Sequence, residues 1–247
     1  MKLRIPRLEG VIKRRVLINF RVEAAAFQKL LPGPFRPKLQ KGFAVAGICL
    51  IRLDQIRPFG LPAFLGFSSE NAAHRVAVEW TNSAKELREG VFIPRRDTNS
   101  YLSHFTGGRI FPGEHHFAGF QVTDSGSRVD FTMQSHDKST SVRVRGFDAE
   151  ELPSSSCFSS LAESSRFFEG GCLGYSTTKD SCRLDGVELT TLRWQVSAFS
   201  VEHVEASYFA ATARFPEGSV EFDHALIMRD IPHEWSSVED MNTEILP

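Results

Sequence analysis

The chain has 247 residues and a formal net charge of −1 at pH 7, so it is long enough for one large β domain or two small ones. Lys, Arg, Asp and Glu are mixed along its length, which argues against a nucleic-acid or membrane-binding surface. No run approaches the ~20 apolar residues of a membrane span, and no signal-peptide core follows the basic start. We therefore expect a cytoplasmic protein with no nucleic-acid or membrane partner.

The basic residues are 21 Arg and only eight Lys, which leaves few candidates for lysine amine chemistry. The four cysteines form no C-x-x-C pair. Cys49 lies in an apolar run and is predicted to be a small buried hydrophobe. Cys172 and Cys182 could meet across a hairpin, although a reducing compartment favours free thiols.

Apolar alternation and β-branched residues predict many short strands. We place strands at residues 11–20, 42–56, 70–80, 90–96, 115–122, 129–135, 140–147, 171–176, 187–203 and 219–230. The runs at 115–122, 129–135 and 140–147 are predicted to form an antiparallel meander. The strands at 70–80, 90–96 and 115–122 are likewise predicted to lie side by side in an antiparallel arrangement. The strand at 42–56 is long enough to need a bend, which Gly47 could supply, and Pro94 indicates an edge or a bulge.

Helix formers or caps predict helices at residues 23–31, 99–106 and 160–168. Ser100 is the expected N-cap of the second, and Ser160 with Glu163 matches a capping box for the third. A mainly β domain at residues 1–235 follows: a bent antiparallel β-barrel or sheet with a few short helices. A Ser-rich stretch at 153–160 marks an internal boundary between two sub-halves, and residues 236–247 are expected to form a polar tail.

The stretch 90–120, GVFIPRRDTNSYLSHFTGGRIFPGEHHFAGF, concentrates titratable residues on two predicted strands joined by a short helix. Arg95 and Arg96 could hold a carboxylate in a bidentate grip, or could end a solvated strand. His115 and His116 could be general acid or base groups, or half-buried strand histidines. Adjacent strand residues point to opposite faces, so at most one histidine can reach a given pocket.

Several runs resemble, in order, the acetoacetate decarboxylase-like superfamily and its branch of uncharacterised YqjF-like proteins. They are LLPGPFRPKLQKGFAVAGICLIRLDQIRPFGLP, ENAAHRVAV, GVFIPRRDTNS, GGRIFPGEHHFAGF and, more loosely, FFEGGCLGYS and LRWQVSAF. The resemblance covers residues 10–230 and is most specific at 30–120. It implies a β-rich fold enclosing an apolar pocket for a small organic ligand.

In the decarboxylases that this branch resembles, a Pro-Lys-Lys provides the lysine that forms a Schiff base with the substrate. The matching positions here hold Glu114, His115 and His116, and no lysine lies between Lys85 and Lys138. Imidazole cannot replace the imine-forming amine, and arginine stays protonated. The resemblance therefore implies the fold without the imine chemistry.

A second departure concerns the strand at 70–80. The branch usually spaces a Glu and an Arg at i and i+4, whereas Glu70 is followed by His74 at that spacing and Arg75 one residue later. Alternation puts His74 and Arg75 on opposite faces, so the sequence leaves open which one faces the pocket. Glu70 could act as a base or pair with an arginine.

Two other site classes have weaker support. His74, His104, Glu114 and His116 could converge on a metal, but no H-x-H or H-E-x-x-H spacing supports this, so we expect no metal and no cofactor. The Gly174–Ser176 tripeptide lacks the glycine pattern of a nucleophile elbow.

We expect a pocket lined by His115 or His116, with Glu70, His74 or Arg75, Glu114 and one of Arg95 and Arg96 close by. The expected function is binding of a small carbonyl- or carboxylate-bearing molecule, anionic in character; the sequence leaves open whether that molecule is also transformed, without a Schiff base. The alternative is a non-catalytic ligand-binding or interaction module that kept the fold. The sequence sets no oligomeric state and leaves a homo-oligomer open.

Overall fold

The computed structural model describes residues 7–106, 112–180 and 182–243. The strands are β1 (Leu8–Glu23), β2 (Arg36–Pro37), β3 (Leu39–Gln40), β4 (Phe43–Pro58), β5 (Phe67–Thr81), β6 (Leu87–Thr98), β7 (His115–Asp124), β8 (Arg128–Ser135), β9 (Ser141–Ala149), β10 (Leu173–Thr177), β11 (Arg183–Thr191), β12 (Ser197–Ala206), β13 (Val220–Ser237) and β14 (Met241–Asn242). The helices are α1 (Ala24–Gln28), α2 (Tyr101–Thr106), α3 (Leu161–Glu169) and α4 (Ser207–Ala210), with a 3₁₀ turn at Ala63–Leu65.

These strands form one sheet whose hydrogen-bonded order closes on itself twice. One ring runs β6–β7–β8–β9–β12–β13–β1–β4–β5 and back to β6. The second shares β13, β1, β4, β5 and β6, and is completed by β10 and β11. The five shared strands therefore present one face to each ring.

Alternation along the central strands builds two cores. Even-numbered residues such as Val16, Ile48 and Val76 pack inside the nine-strand ring. Odd-numbered residues such as Leu17 and Ala77 belong to a second cluster, which also includes residues of α3. The mainly β fold predicted from alternation is confirmed.

The pairing is mixed rather than purely antiparallel. The β7–β8–β9 meander is antiparallel, as predicted. However, β6 pairs in parallel with β7 and with β10. Parallel neighbours need a crossover, and the chain between β6 and β7, which includes α2, provides it. The predicted β5–β6–β7 neighbourhood is correct, but its antiparallel continuation into β7 is not.

The predicted strand at 187–203 is two strands, β11 and β12, separated by residues 192–196. The break lets β11 pair with β10 while β12 pairs with β9, so each completes a different ring. Residues 241–242, in the predicted tail, pair with β11.

Three of the four helices match predictions. Ser160 Oγ accepts from the Glu163 amide at 3.1 Å and caps α3. Ser100 Oγ accepts from the Ser103 amide at 3.1 Å at the start of α2. The fourth, α4, is a single turn that the sequence did not reveal. In the described ranges, no helix has the length and apolar character needed to cross a membrane.

Candidate ligand-binding site

A cavity of about 120 Å³ lies inside the seven-strand ring. Each of the ring's strands contributes to its wall, through Arg15, Cys49, Ala73, Ile93, Gly174, Val187 and Trp235 in chain order. Most of the wall is apolar, and its charged residues are arginines apart from Asp97. The cavity is thus a small, largely apolar chamber with positive groups in its wall.

One row of paired residues crosses the wall on four neighbouring strands. Cys49 of β4 pairs with Ala73 of β5, Ala73 with Arg96 of β6, and Arg96 with His115 of β7. Paired residues point to the same face, and adjacent strands are ~4.8 Å apart. The short side chains of Cys49 and Ala73 leave space in front of Arg96.

A β-bulge at Pro94 sets the direction of Arg96. His74 pairs with Arg95 and Val76 with Phe92, so Ile93 and Pro94 together oppose Arg75. The extra residue reverses the alternation, and both Ile93 and Arg96 face the cavity as a result. Pro94, which cannot donate to the sheet, occupies the bulge as predicted.

Arg75 enters the cavity wall from β5 and is only 4% exposed. Its Nη2 donates to Asn19 Oδ1 at 2.6 Å, and its guanidinium carbon lies 4.8 Å from the ring centre of Phe168. Gly47 lies between Asn19 and Arg75 in the sheet, and a Cβ there would be 2.0 Å from the Ile18 carbonyl oxygen. The glycine is therefore needed for this close backbone approach.

The guanidinium groups of Arg15, Arg75 and Arg96 have no carboxylate within ion-pair distance among the described residues. Arg15 Nε donates to Cys49 Sγ at 3.2 Å, and Arg96 Nε donates to Ser176 Oγ at 3.0 Å. Arg75 Nε has no hydrogen-bond partner in the described ranges. The acceptors that these groups use among the described residues are neutral oxygens or the Cys49 sulfur.

This lack of counter-charge affects the ionisation of both inner arginines. Burial lowers the pKa of Arg75 to about 10, and the nearby Arg15 lowers it further while the Cys49 sulfur opposes the change. Burial also lowers the pKa of Arg96 to about 10, opposed by Cys49 and Asp185. Both arginines remain cationic at pH 7, but keeping them charged in the folded protein costs free energy.

His115 lines the cavity beside Arg96. Burial lowers the pKa of His115 to about 3, and repulsion by Arg96 adds to the decrease. Its Nδ1 lies 3.2 Å from the Gly113 carbonyl oxygen, which can only accept, so Nδ1 carries the proton. The neutral ring therefore has its lone pair on Nε2.

The backbone at Gly113 fixes the start of β7 next to Arg96. Gly113 has φ +80°, and a Cβ would lie 2.5 Å from the Cβ of Ser176, the residue whose hydroxyl holds Arg96. Its amide donates to Asp185 Oδ2 at 3.0 Å. Only glycine fits this conformation and this contact together.

Three predicted site residues lie in ion pairs or on the opposite face of the sheet. Glu70 accepts from Arg14 Nη2 at 2.6 Å, and both side chains are buried. Arg95 Nη2 donates to Asp97 Oδ1 at 2.8 Å. The carboxylate of Asp97, the acid among the described residues of the cavity wall, is therefore already paired. His74 lies on the other face of β5 from Arg75, buried against the Tyr208 ring at 4.7 Å between centres.

His116 and Glu114 are likewise absent from the cavity wall. His116 Nδ1 lies 3.8 Å from Asp137 Oδ2, near Arg95. The Glu114 amide donates to the Thr177 carbonyl at 3.0 Å. Of the predicted candidates, the structure brings together Arg75, Arg96 and His115.

Sequence reasoning missed Arg15 and Cys49 as cavity residues. Their strands precede the conspicuous stretch at 90–120, and only the β1–β4–β5 pairing brings them beside it. The signal that could have found Arg15 is a basic residue on the inner face of an otherwise apolar strand.

Other site classes have little support in the described part of the chain. No group of three or more His, Cys, Asp or Glu residues there is arranged to hold a metal ion. Ser176 is held by Arg96. Ser164, His224 and Asp223 form a hydrogen-bonded line, at 2.8 and 2.6 Å, but they are sealed in the interior and bordered by Phe158.

Comparison with solved structures identifies the fold. The enduracididine biosynthesis enzyme MppR complexed with pyruvate has a TM-score of 0.60 and 10% identity, covering 97% of this chain and 91% of that one. Acetoacetate decarboxylase from Legionella pneumophila gives 0.60 and 11%, covering 96% and 88%. An acetoacetate decarboxylase-like enzyme from Sphingomonas wittichii gives 0.60 and 13%, covering 99% and 95%.

These likenesses show an acetoacetate decarboxylase-like fold, as the sequence resemblance implied. A search of curated proteins found no match. The sequence profile of DUF2071, described as an uncharacterized conserved protein, matches residues 11–228. The chain therefore belongs to the DUF2071 family and has the acetoacetate decarboxylase-like fold.

Proposed function

We propose that this protein binds a small carboxylate-bearing molecule in the cavity of the seven-strand ring. The observation that supports this most is the cluster of Arg15, Arg75 and Arg96 around one chamber, where none of the three forms an ion pair with a carboxylate among the described residues. By contrast Arg14, the one other buried arginine besides Arg75 among the described residues, is paired with Glu70.

Unneutralised buried charge is costly, and proteins normally pair it. A ligand carboxylate placed among these arginines would supply the missing negative charge and accept their free N–H groups. The apolar wall would strengthen the attraction by excluding water. An engineered cavity of about 150 Å³ holds benzene, so a chamber of about 120 Å³ suits an acid of a few carbon atoms.

The same geometry supports a transformation without a Schiff base. No lysine belongs to the described cavity wall, so the imine route lacks its amine. His115 is neutral at pH 7, and a ligand carboxylate bound beside it would raise its pKa from about 3 toward the range of a general base that can take a proton from a carbon next to a carbonyl group. Proton abstraction from a bound oxo acid is therefore the reaction we propose.

A non-catalytic binding module is the second candidate, and the absence of lysine from the described wall favours it. Proton exchange separates the two. Pyruvate incubated with the protein in D₂O should lose its methyl protons faster than in buffer, and His115→Gln should abolish the excess. Binding without exchange would identify the module.

Binding itself is tested by thermal shift with acetate, propionate, pyruvate and acetoacetate, using acetamide and acetone as neutral analogues. We expect the acids alone to raise the melting temperature of the wild type. Arg96→Gln should abolish the increase, whereas Arg36→Gln, at a surface ion pair with Glu79, should preserve it. An equal response to acids and neutral analogues would contradict the proposal.

A further inference from the structure

The thiol of Cys49 lies at the centre of the arginine cluster. It is 6% exposed and forms part of the cavity wall, so what little surface it has faces the chamber. Arg15 donates to its sulfur at 3.2 Å. Arg75 is 4% exposed with an unpartnered Nε among the described residues, and it lies in the same wall.

Pairing in the sheet explains this position. Cys49 and Ala73 are paired, with Arg96 next across the row and Arg75 two residues along β5. Three guanidinium groups of the same cavity wall thus share this face of the sheet with the sulfur, and Arg15 donates to it directly. A cysteine among cations is the usual environment of a reactive thiol, since positive charge favours the nucleophilic thiolate.

We propose that Cys49 is the nucleophile of this cavity and that it reacts with small carboxylates carrying an electrophilic carbon near the carboxylate. This inference rests on the proposed function, because the arginines that would bind the acid are also those that surround the sulfur. It goes beyond that function because binding alone requires no thiol.

The reaction can be written for an alkylating acid, iodoacetate. The thiol proton leaves to water, the thiolate electron pair forms the S–CH₂ bond, and the C–I bond breaks to release iodide. An α,β-unsaturated acid would react by S–C bond formation at the β carbon, with water protonating the α carbon. Neither step requires an oxidant or a reductant.

The other cysteines provide internal controls in the same molecule. Partial burial of the sulfur and the nearby Glu188 carboxylate raise the pKa of Cys172, although the residue as a whole is exposed and lies in the cavity wall. Burial and Asp223 raise the pKa of Cys157 to about 12. The described cysteines are all free thiols, so each can be followed by peptide mass spectrometry.

The experiment compares alkylation of the full chain by iodoacetate and by neutral iodoacetamide at pH 7. The ratio of the two rates at one cysteine cancels its thiolate fraction and reports only the attraction of the carboxylate. We expect this ratio to be at least about tenfold higher at Cys49 than at Cys172, the lower end of typical electrostatic enrichment. Propionate should slow carboxymethylation of Cys49 alone.

Variants test the assignment. Cys49→Ser should remove the fast iodoacetate adduct from the intact mass, Arg15→Gln should lower the ratio at Cys49, and Arg36→Gln should leave it unchanged. Equal ratios at Cys49 and Cys172, or labelling of Cys49 only after unfolding, would overturn the inference. If acids still stabilise the protein in that case, the proposed function stands; if they do not, both proposals fail.

Discussion

Replacing Arg96 by Gln should stabilise the unliganded protein, although it removes a hydrogen-bonded, largely buried side chain. The decrease of its pKa to about 10 corresponds to roughly 3 kcal/mol of unfavourable free energy for holding the charge in the folded state. The group is a base with a lowered folded-state pKa, so this penalty is present at pH 7. It shrinks only as the pH rises above about 10.

The substitution also loses the bond from Arg96 Nε to Ser176, worth about 1 kcal/mol, and some packing. The balance is a gain of about 1–2 kcal/mol, or a few degrees in melting temperature for a chain of this size. Urea unfolding at pH 7, in a buffer free of carboxylate and phosphate, measures the change.

Arg14→Gln is the matched control because Arg14 is also buried in this sheet but is paired with Glu70 at 2.6 Å. Its loss leaves the buried Glu70 carboxylate with the more distant Arg52, whose Nη1 lies 3.9 Å from Glu70 Oε1, so we expect about 3 kcal/mol of destabilisation, the lower end for a broken buried pair. If Arg96→Gln destabilises the protein as much as Arg14→Gln does, then Arg96 is already neutralised within the fold. The argument for an anionic ligand would then be wrong.

Three further outcomes are expected. Borohydride reduction in the presence of acetoacetate should leave the intact mass unchanged; a lysine adduct that tracks turnover would refute the lack of imine chemistry. Burial lowers the pKa of His74 to about 3, so stability should fall as the pH decreases below about 6.5, where only the unfolded chain gains the proton. His74→Phe should reduce that fall by up to about 1.4 kcal/mol per pH unit in urea unfolding at pH 7 and pH 5, and equal losses would contradict the burial argument. Gly113→Ala should destabilise the protein and weaken propionate binding in calorimetry, because the new Cβ meets Ser176; unchanged affinity would show that this contact does not position Arg96.

Local patterns sufficed for much of the fold. Alternation correctly put His74 and Arg75 on opposite faces of β5, and cap chemistry located α2 and α3. These features depend on neighbours in the chain, which a sequence displays directly.

The site needed information that local patterns lack. The choice between Arg95 and Arg96 depends on a bulge that reverses alternation, and Pro94 indicated a bulge without giving its register. Arg15 and Cys49 join the cavity through pairings between distant strands. Glu70 looked like a site residue because its partner, Arg14, lies 56 positions earlier.

The most direct test of the account is a crystal structure of the protein with pyruvate. We predict a pyruvate molecule inside the seven-strand ring, with its carboxylate about 3 Å from a guanidinium nitrogen of Arg75 or Arg96 and its methyl group against the apolar wall. An empty cavity at saturating pyruvate, or a carboxylate turned away from every arginine, would contradict it.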